Sequence, residues 1–295
     1  MLGLSALTLL YTLKMKKIAV IGTGIMGSGI ASNYLENGYQ VTIWNRSLEK
    51  TKDLQAAGAT IATSPKAATE QADIIFEVTA DDKSSQGVWM GDEGIMAGAN
   101  GDKTLIASGT FSIDWTRQLA TACSDKGFAF FDMPLTGGRI GAESGSLTML
   151  VGGNEQNLNN LKPDLEAISS KVLYFGQATS GMKYKLVLNS LQAAHIAAFG
   201  EAMRLATDNG LDANKVGDAL SERPGGVVTD IAWRAYQQEN IPLTFSVDWI
   251  LKDLEYAKQL SGSATTPILD DILTAYKHAQ ADGQGDEDWT TVIKA

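Results

Sequence analysis

The chain has 295 residues, 44% of them hydrophobic and 20% charged, enough for one large domain or two ordinary ones with a real core. Its net charge is −10 with no basic tract, which argues against nucleic acid or an anionic membrane surface as a partner. The single cysteine, Cys123, excludes an internal disulfide, and two distant histidines, His195 and His278, make a poor zinc-ligand pattern.

Residues 1–13 are apolar but too short to span a bilayer. Lys14, Lys16 and Lys17 follow that run rather than precede it, contrary to a secretory signal. We therefore expect residues 1–14 to be an extension upstream of the fold and the protein to be cytoplasmic. The first strand is expected over 17–22, a helix over 28–37 and a second strand over 40–44. Between strand and helix stands Gly22-Thr23-Gly24-Ile25-Met26-Gly27, a G-x-G-x-x-G motif. A lone motif of this kind is weak evidence. Inside a βαβ unit of this length it marks a dinucleotide site. Gly22 permits the tight turn, Gly24 lets a pyrophosphate approach the backbone, and Gly27 allows helix and strand to pack closely. The amides of Ile25 and Met26 then face the phosphates at the helix start.

The end of the second strand chooses between the two nicotinamide dinucleotides. An NAD site carries Asp or Glu there for the ribose hydroxyls. This chain has Asn45-Arg46-Ser47, with no carboxylate to repel a 2′-phosphate and an arginine to pair with it. The expected cofactor is NADP, with NADPH preferred over NADH. Further βα alternation follows: helix 48–57, strand 59–62, helix 65–71, strand 73–78, helix 83–90, strand 104–107, helix 113–126 and strand 128–131. Such repetition predicts a doubly wound parallel sheet with ligand at the strand C-terminal ends. Thr79–Asp82 and Ser108–Ser112, including Thr110, fall at those ends.

A second glycine-rich stretch runs from Asp132 to Leu147 and is expected as a loop. It lacks a Gly-Lys-Ser/Thr ending, so it is no nucleotide P-loop, but Gly137 and Gly138 can turn backbone N–H groups toward a carboxylate. Strand 148–151, helix 155–169 and strand 171–175 complete the first unit. Everything beyond reads as helix: 182–206, 212–222, 226–238, 246–260, 266–280 and a turn at 287–294. The expected division is an extension over 1–14, a Rossmann-type unit over 15–177 and an all-helical unit over 178–295. Within the helix 182–206, Lys185 and Asn189 share a face at i,i+4 spacing, and Gln192 continues it. Polar groups so placed must find partners or line a cavity, and a lysine there suits acid/base work. The same spacing also fits a snorkelling lysine. His195 points to another face and is expected as a packed, hydrogen-bonded histidine.

Together these stretches resemble the β-hydroxyacid dehydrogenases, which include 3-hydroxyisobutyrate dehydrogenases and glyoxylate/succinic semialdehyde reductases. The resemblance covers about 16–295. It rests on Gly22–Gly27, on Asp132-Met-Pro-Leu-Thr-Gly-Gly-Arg-Ile-Gly-Ala142, on Lys185 with Asn189, and on Phe245 with Lys252-Asp253. It implies a Rossmann-type domain joined to an all-α domain by a long helix, with Lys185 and Asn189 catalytic and no metal required. It also implies substrate contacts from Thr136, Gly137, Gly138, Phe245 and Asp253, and a cofactor contact from Lys252. The implied substrate is a small carboxylate-bearing aldehyde or keto acid, and the implied assembly a homodimer or homotetramer. Two departures stand out: Thr136 replaces the usual serine, and Leu188 replaces a frequent asparagine. The chain is too short for a decarboxylating 6-phosphogluconate dehydrogenase. Imine reductases share size and fold but typically lack the lysine, and a non-catalytic NADP-binding module would not need the Lys185–Asn189 pair.

Overall fold

The computed structural model describes residues 15–222, 227–260 and 266–294. The expected extension over 1–14 lies outside them. Strand β1 (Ile18–Ile21), helix α1 (Ile25–Glu36) and strand β2 (Val41–Trp44) form the predicted βαβ unit. The next helix is shorter than expected: a 3-10 turn at Leu48–Thr51 leads into α2 (Lys52–Ala56). Then follow β3 (Thr60–Ile61), α3 (Pro65–Glu70), β4 (Ile74–Glu77) and α4 (Asp82–Trp89). A four-residue α5 (Ile95–Gly98), too short for any periodicity to announce, precedes β5 (Thr104–Ala107), α6 (Ile113–Asp125) and β6 (Ala129–Asp132).

Local chemistry explains the boundaries. Ser64, Asp81 and Ser112 each cap a helix by accepting a backbone N–H three residues on, from Ala67, Ser84 and Trp115. Pro65 at the first position of α3 has no N–H to lose there. The strand β1 is a continuous apolar run, and β4 and β5 are apolar but for Glu77 and Thr104 at their ends, because helices cover both faces of the sheet. On one face α1, α2 and α8 (Glu155–Leu165) bury Ile30, Tyr34, Leu54, Leu158 and Leu161. On the other, α3 to α6 bury Ala68, Trp89, Ile95, Trp115 and Leu119.

Sheet order is β3-β2-β1-β4-β5-β6 in parallel, continued by β8 (Leu147–Gly153), with β7 (Leu135–Thr136) and β9 (Ser169–Gly176) both paired to β8. The expected parallel sheet is present across these six strands, and its direction changes only beyond β6. β8 runs antiparallel to β6 and to β7, and β9 is parallel to β8. The residues between β6 and β8 are not a loop throughout either: they form β7 and the six-residue helix α7 (Gly138–Glu143). That helix lies against α1, where Asn33 Nδ2 donates to Ala142 O at 2.7 Å. No crossover helix returns the chain to the start of the sheet, so β8 enters from the opposite end.

Helix α9 (Ser180–Asp208) has 29 residues and extends the helix expected over 182–206 by two residues at each end. It is followed by α10 (Ala213–Ser221), α11 (Val227–Tyr236), α12 (Val247–Leu260), α13 (Pro267–Ala279) and a final 3-10 turn at Trp289–Lys294. Ala193, Ile196, Phe199 and Met203 of α9 join Trp233, Leu254, Tyr276 and Val292 in a core made only of helices. No helix among the described residues is long and apolar enough to cross a membrane.

Candidate active site

The glycine motif occupies the turn from β1 into α1, and each glycine has a different neighbourhood. Gly22 has φ +102°, and a Cβ there would meet the Val78 carbonyl. A Cβ on Gly27 would fall 1.9 Å from Gly22 O, so helix and turn touch backbone to backbone. Gly24 is exposed and a Cβ on it would meet nothing within 4 Å. Two glycines therefore serve the fold, while the third leaves clear space above the helix start. No side chain caps α1 there, so its leading amides, including those of Ile25 and Met26, have no side-chain partner. This is the cradle a diphosphate fits.

Asn45 is tied into that turn, its Oδ1 accepting from Thr23 N at 3.1 Å and its Nδ2 donating to Ser47 O at 2.9 Å. Arg46 and Ser47 are exposed. The loop after β4 is held from below by Glu77, which is fully buried and accepts from Thr79 N at 2.9 Å and from the Thr79 hydroxyl. Burial pushes the Glu77 carboxyl up to about 7, with the Thr79 bonds opposing. Ser112 N donates to Asp82 Oδ1 at 2.9 Å, linking the β4 and β5 loops. Sequence reading gave Glu77 no role. A carboxylate ending a buried strand was the available signal.

Helix α9 is positioned by a group that the sequence presented only as the start of a motif. Asp132 is fully buried; its Oδ1 accepts from Thr179 N and its Oδ2 from Met182 N, each at 2.7 Å. Thr179 itself is left-handed, with φ 81°, and supplies no cap. Asp132 thus caps the helix from the end of β6, where negative charge is favourable. Burial raises its carboxyl to about 6, the amide bonds pulling the other way. Gly181 lets the helix sit directly on β8, since a Cβ there would lie 2.4 Å from Leu150 O.

Two turns into α9, Lys185 is half-buried and Asn189 is only 3% exposed. Lys183, two residues from Lys185, is exposed. The Lys185 amino group makes no hydrogen bond among the described residues. Burial lowers its pKa to about 8; Asp253 offsets part of that fall and Lys252 adds to it. Asn189 Nδ2 donates to Asp253 Oδ2 at 2.6 Å. Lys252 Nζ lies 2.7 Å from Asp253 Oδ1 and donates to Thr110 O at 2.8 Å. Thr110, Lys252, Asp253 and Asn189 therefore form one chain of contacts from the β5 loop to α9.

Other expected residues stand differently. Asp253 is fully buried and its oxygens face Asn189 and Lys252, so it has no open side for a substrate. Thr136 is half-buried, with Gly137 (φ +125°) and Gly138 (φ +59°) exposed at the start of α7. Phe245 packs in an aromatic group with Trp249 at 5.9 Å and Trp289 at 6.3 Å between ring centroids. His195, expected to be packed, is exposed, because its face of α9 is turned to solvent.

Comparison with known proteins covers nearly all of this architecture. Residues 17–176 match the model of the NAD binding domain of 6-phosphogluconate dehydrogenase, and 179–295 that of the NAD-binding domain of NADP-dependent 3-hydroxyisobutyrate dehydrogenase. The chain is 30% identical over 281 residues to glyoxylate/succinic semialdehyde reductase 2 of Arabidopsis thaliana, covering 94% of this chain and 78% of that one. It is 28% identical over 293 residues to an NAD-dependent L-serine dehydrogenase of Pseudomonas aeruginosa, covering 95% and 97%. The solved Mycobacterium tuberculosis 3-hydroxyisobutyrate dehydrogenase with L-serine superposes with a TM-score of 0.82 at 26% identity, over 95% of this chain and 98% of that one.

Proposed function

The chain belongs to the β-hydroxyacid dehydrogenases, a family of NAD(P)-dependent oxidoreductases, and on that premise we propose that it is an NADPH-dependent reductase of a small carboxylate-bearing aldehyde or keto acid, reversible as a 3- or 4-hydroxyacid dehydrogenase. The observation that carries the reading is Lys185: a half-buried amine with no hydrogen-bond partner among the described residues, its pKa lowered to about 8, one turn from Asn189. The open space at Gly24 and the uncapped start of α1 fit the diphosphate, and Arg46 fits a 2′-phosphate. When bound, the reduced nicotinamide supplies a hydride to the carbonyl carbon. Lys185 gives its proton to the oxygen as negative charge develops there, and takes it back in the oxidative direction. The Thr136 hydroxyl and the Gly137 and Gly138 amides hold the substrate carboxylate, and Phe245, its ring packed with Trp249 and Trp289, contacts the substrate. A protein working this way reduces semialdehydes and keto acids in a panel followed by NADPH absorbance. Turnover that persists in Lys185→Ala, or vanishes in Lys183→Ala, would refute the assignment.

A further inference from the structure

Resting on the reading of Lys185 as the proton-transfer group, the geometry around Asn189 assigns a role to a residue that touches no reacting atom. We propose that Asp253 is a positioning residue: it locks the Asn189 amide so that Asn189 meets Lys185 as a hydrogen-bond acceptor, holding one N–H of the amino group and aiming the rest at the substrate oxygen.

The argument begins with what a carboxylate does. It only accepts. At 2.6 Å the Asn189 atom facing Asp253 Oδ2 must be the donating Nδ2, since a carbonyl oxygen there would be repelled. The amide therefore cannot flip, and its Oδ1 is turned away from Asp253. Asp253 is fully buried, so water does not compete with the Asn189 amide for its carboxylate. Lys252, 2.7 Å from Asp253 Oδ1 and anchored on Thr110 O, balances the carboxylate charge and fixes its rotation. Asn189 Oδ1 makes no hydrogen bond among the described residues, and neither does the Lys185 amine one turn earlier on the same face. A lysine amine on four rotatable bonds has no intrinsic aim; a base held by a third group does. Contacts of this kind shorten when substrate closes the site. In this arrangement the Asn189 amide is no donor to the substrate carbonyl. The charged groups acting on Lys185 are Asp253 and Lys252, both on α12.

Reversing the polarity of the pair tests this in the full-length protein with NADPH and the best carbonyl substrate of the panel. Asp253→Asn frees the amide to flip and should lower kcat roughly 10- to 100-fold with the KM for NADPH unchanged. Asn189→Asp opposes two carboxylates and should be at least as damaging. The double variant N189D/D253N restores one N–H···O bond in the opposite sense while position 189 still presents an oxygen to Lys185, so kcat should recover at least about tenfold over N189D. A donor role for Asn189 predicts instead a double variant no better than N189D, which would overturn the proposal. So would a D253N enzyme equal to wild type. An NMR titration of the Lys185 side chain, assigned through Lys185→Arg, needs no turnover. It should move to lower pH in D253N, where the negative charge favouring the ammonium is lost, and an unmoved titration overturns the proposal. A wild type inactive on the whole panel refutes the assigned reaction instead, and hydrogen exchange of the Asn189 side-chain amide then decides the positioning: it should be slow in wild type and fast in D253N, and equal exchange overturns the proposal.

Discussion

Two buried carboxylates grip the same helix in different ways. Asp132, at the end of a strand, accepts two backbone amides and fixes where α9 begins. Asp253, on a neighbouring helix, accepts one side-chain amide and fixes how Asn189 is turned. The first acts on main chain, so its loss is felt by the fold. The second acts on a side chain, so under the proposed mechanism its loss is expected in turnover. The contrast extends to the surroundings: the sheet side offers backbone held by glycine packing, and the helical side offers side chains held by charge.

The largest effect expected from breaking this division is in Lys185→Ala, which should lower kcat by about 10²–10⁴ while leaving NADPH affinity unchanged, as stopped-flow binding would measure. The pH dependence carries the same information. With a pKa near 8, the ammonium needed for reduction is lost as pH rises through that value, so kcat for reduction falls there. Oxidation needs the free amine and should rise over the same range. Both limbs should be absent in Lys185→Ala.

Next comes the glycine turn. Gly27→Ala places a Cβ 1.9 Å from Gly22 O and should lower stability by about 1–3 kcal/mol or more, together with nucleotide binding. Gly24→Ala meets no protein atom, so its Tm should match wild type while nucleotide affinity drops. Equal Tm losses in the two variants would abolish the distinction between folding and binding glycines. Asp132→Asn has one acceptor for two buried amides and should lose about 1–3 kcal/mol in urea unfolding, with kcat affected less than in D253N. The smallest effect is Arg46→Ala. It should raise the KM for NADPH by roughly tenfold or less, because the arginine is exposed and water screens it, and should spare NADH. Equal losses for both cofactors would remove the case for NADPH preference.

What the sequence made legible was local. The turn from β1 into α1 needs glycines within six residues, and α9 announces itself by apolar spacing unbroken by proline. What stayed hidden depends on residues far apart in the chain. Asp132 meets Thr179 across 47 positions, and Asn189 meets Asp253 across 64. Composition near Asp132 does not say that its carboxylate will cap a helix after three further strands have formed. The antiparallel β8 was hidden for a related reason. Strand patterning shows that a segment is extended and buried but not which way it runs, and here direction follows from α7 docking on α1 rather than crossing the sheet. Lys185 and Asn189 were legible as a shared face. That the amide is committed to a buried carboxylate was not.

The length of α9 has a consequence for how the molecule comes apart. At 29 residues the helix is about 43 Å long. Met182 near its start is buried in the core beneath the sheet, while Ala193 to Met203 are buried in the helical core. Melting either core exposes apolar surface on a helix the other core still needs, and leaves Asp132 or Asp253 without its partner. The two cores therefore share one cooperative transition, with the calorimetric enthalpy matching the van't Hoff value. A chain cut after Gly176 would expose Met182's pocket in the sheet core and strand the Asp132 carboxylate in the interior, so the sheet-bearing half is held to its fold by a helix that lies beyond it in sequence.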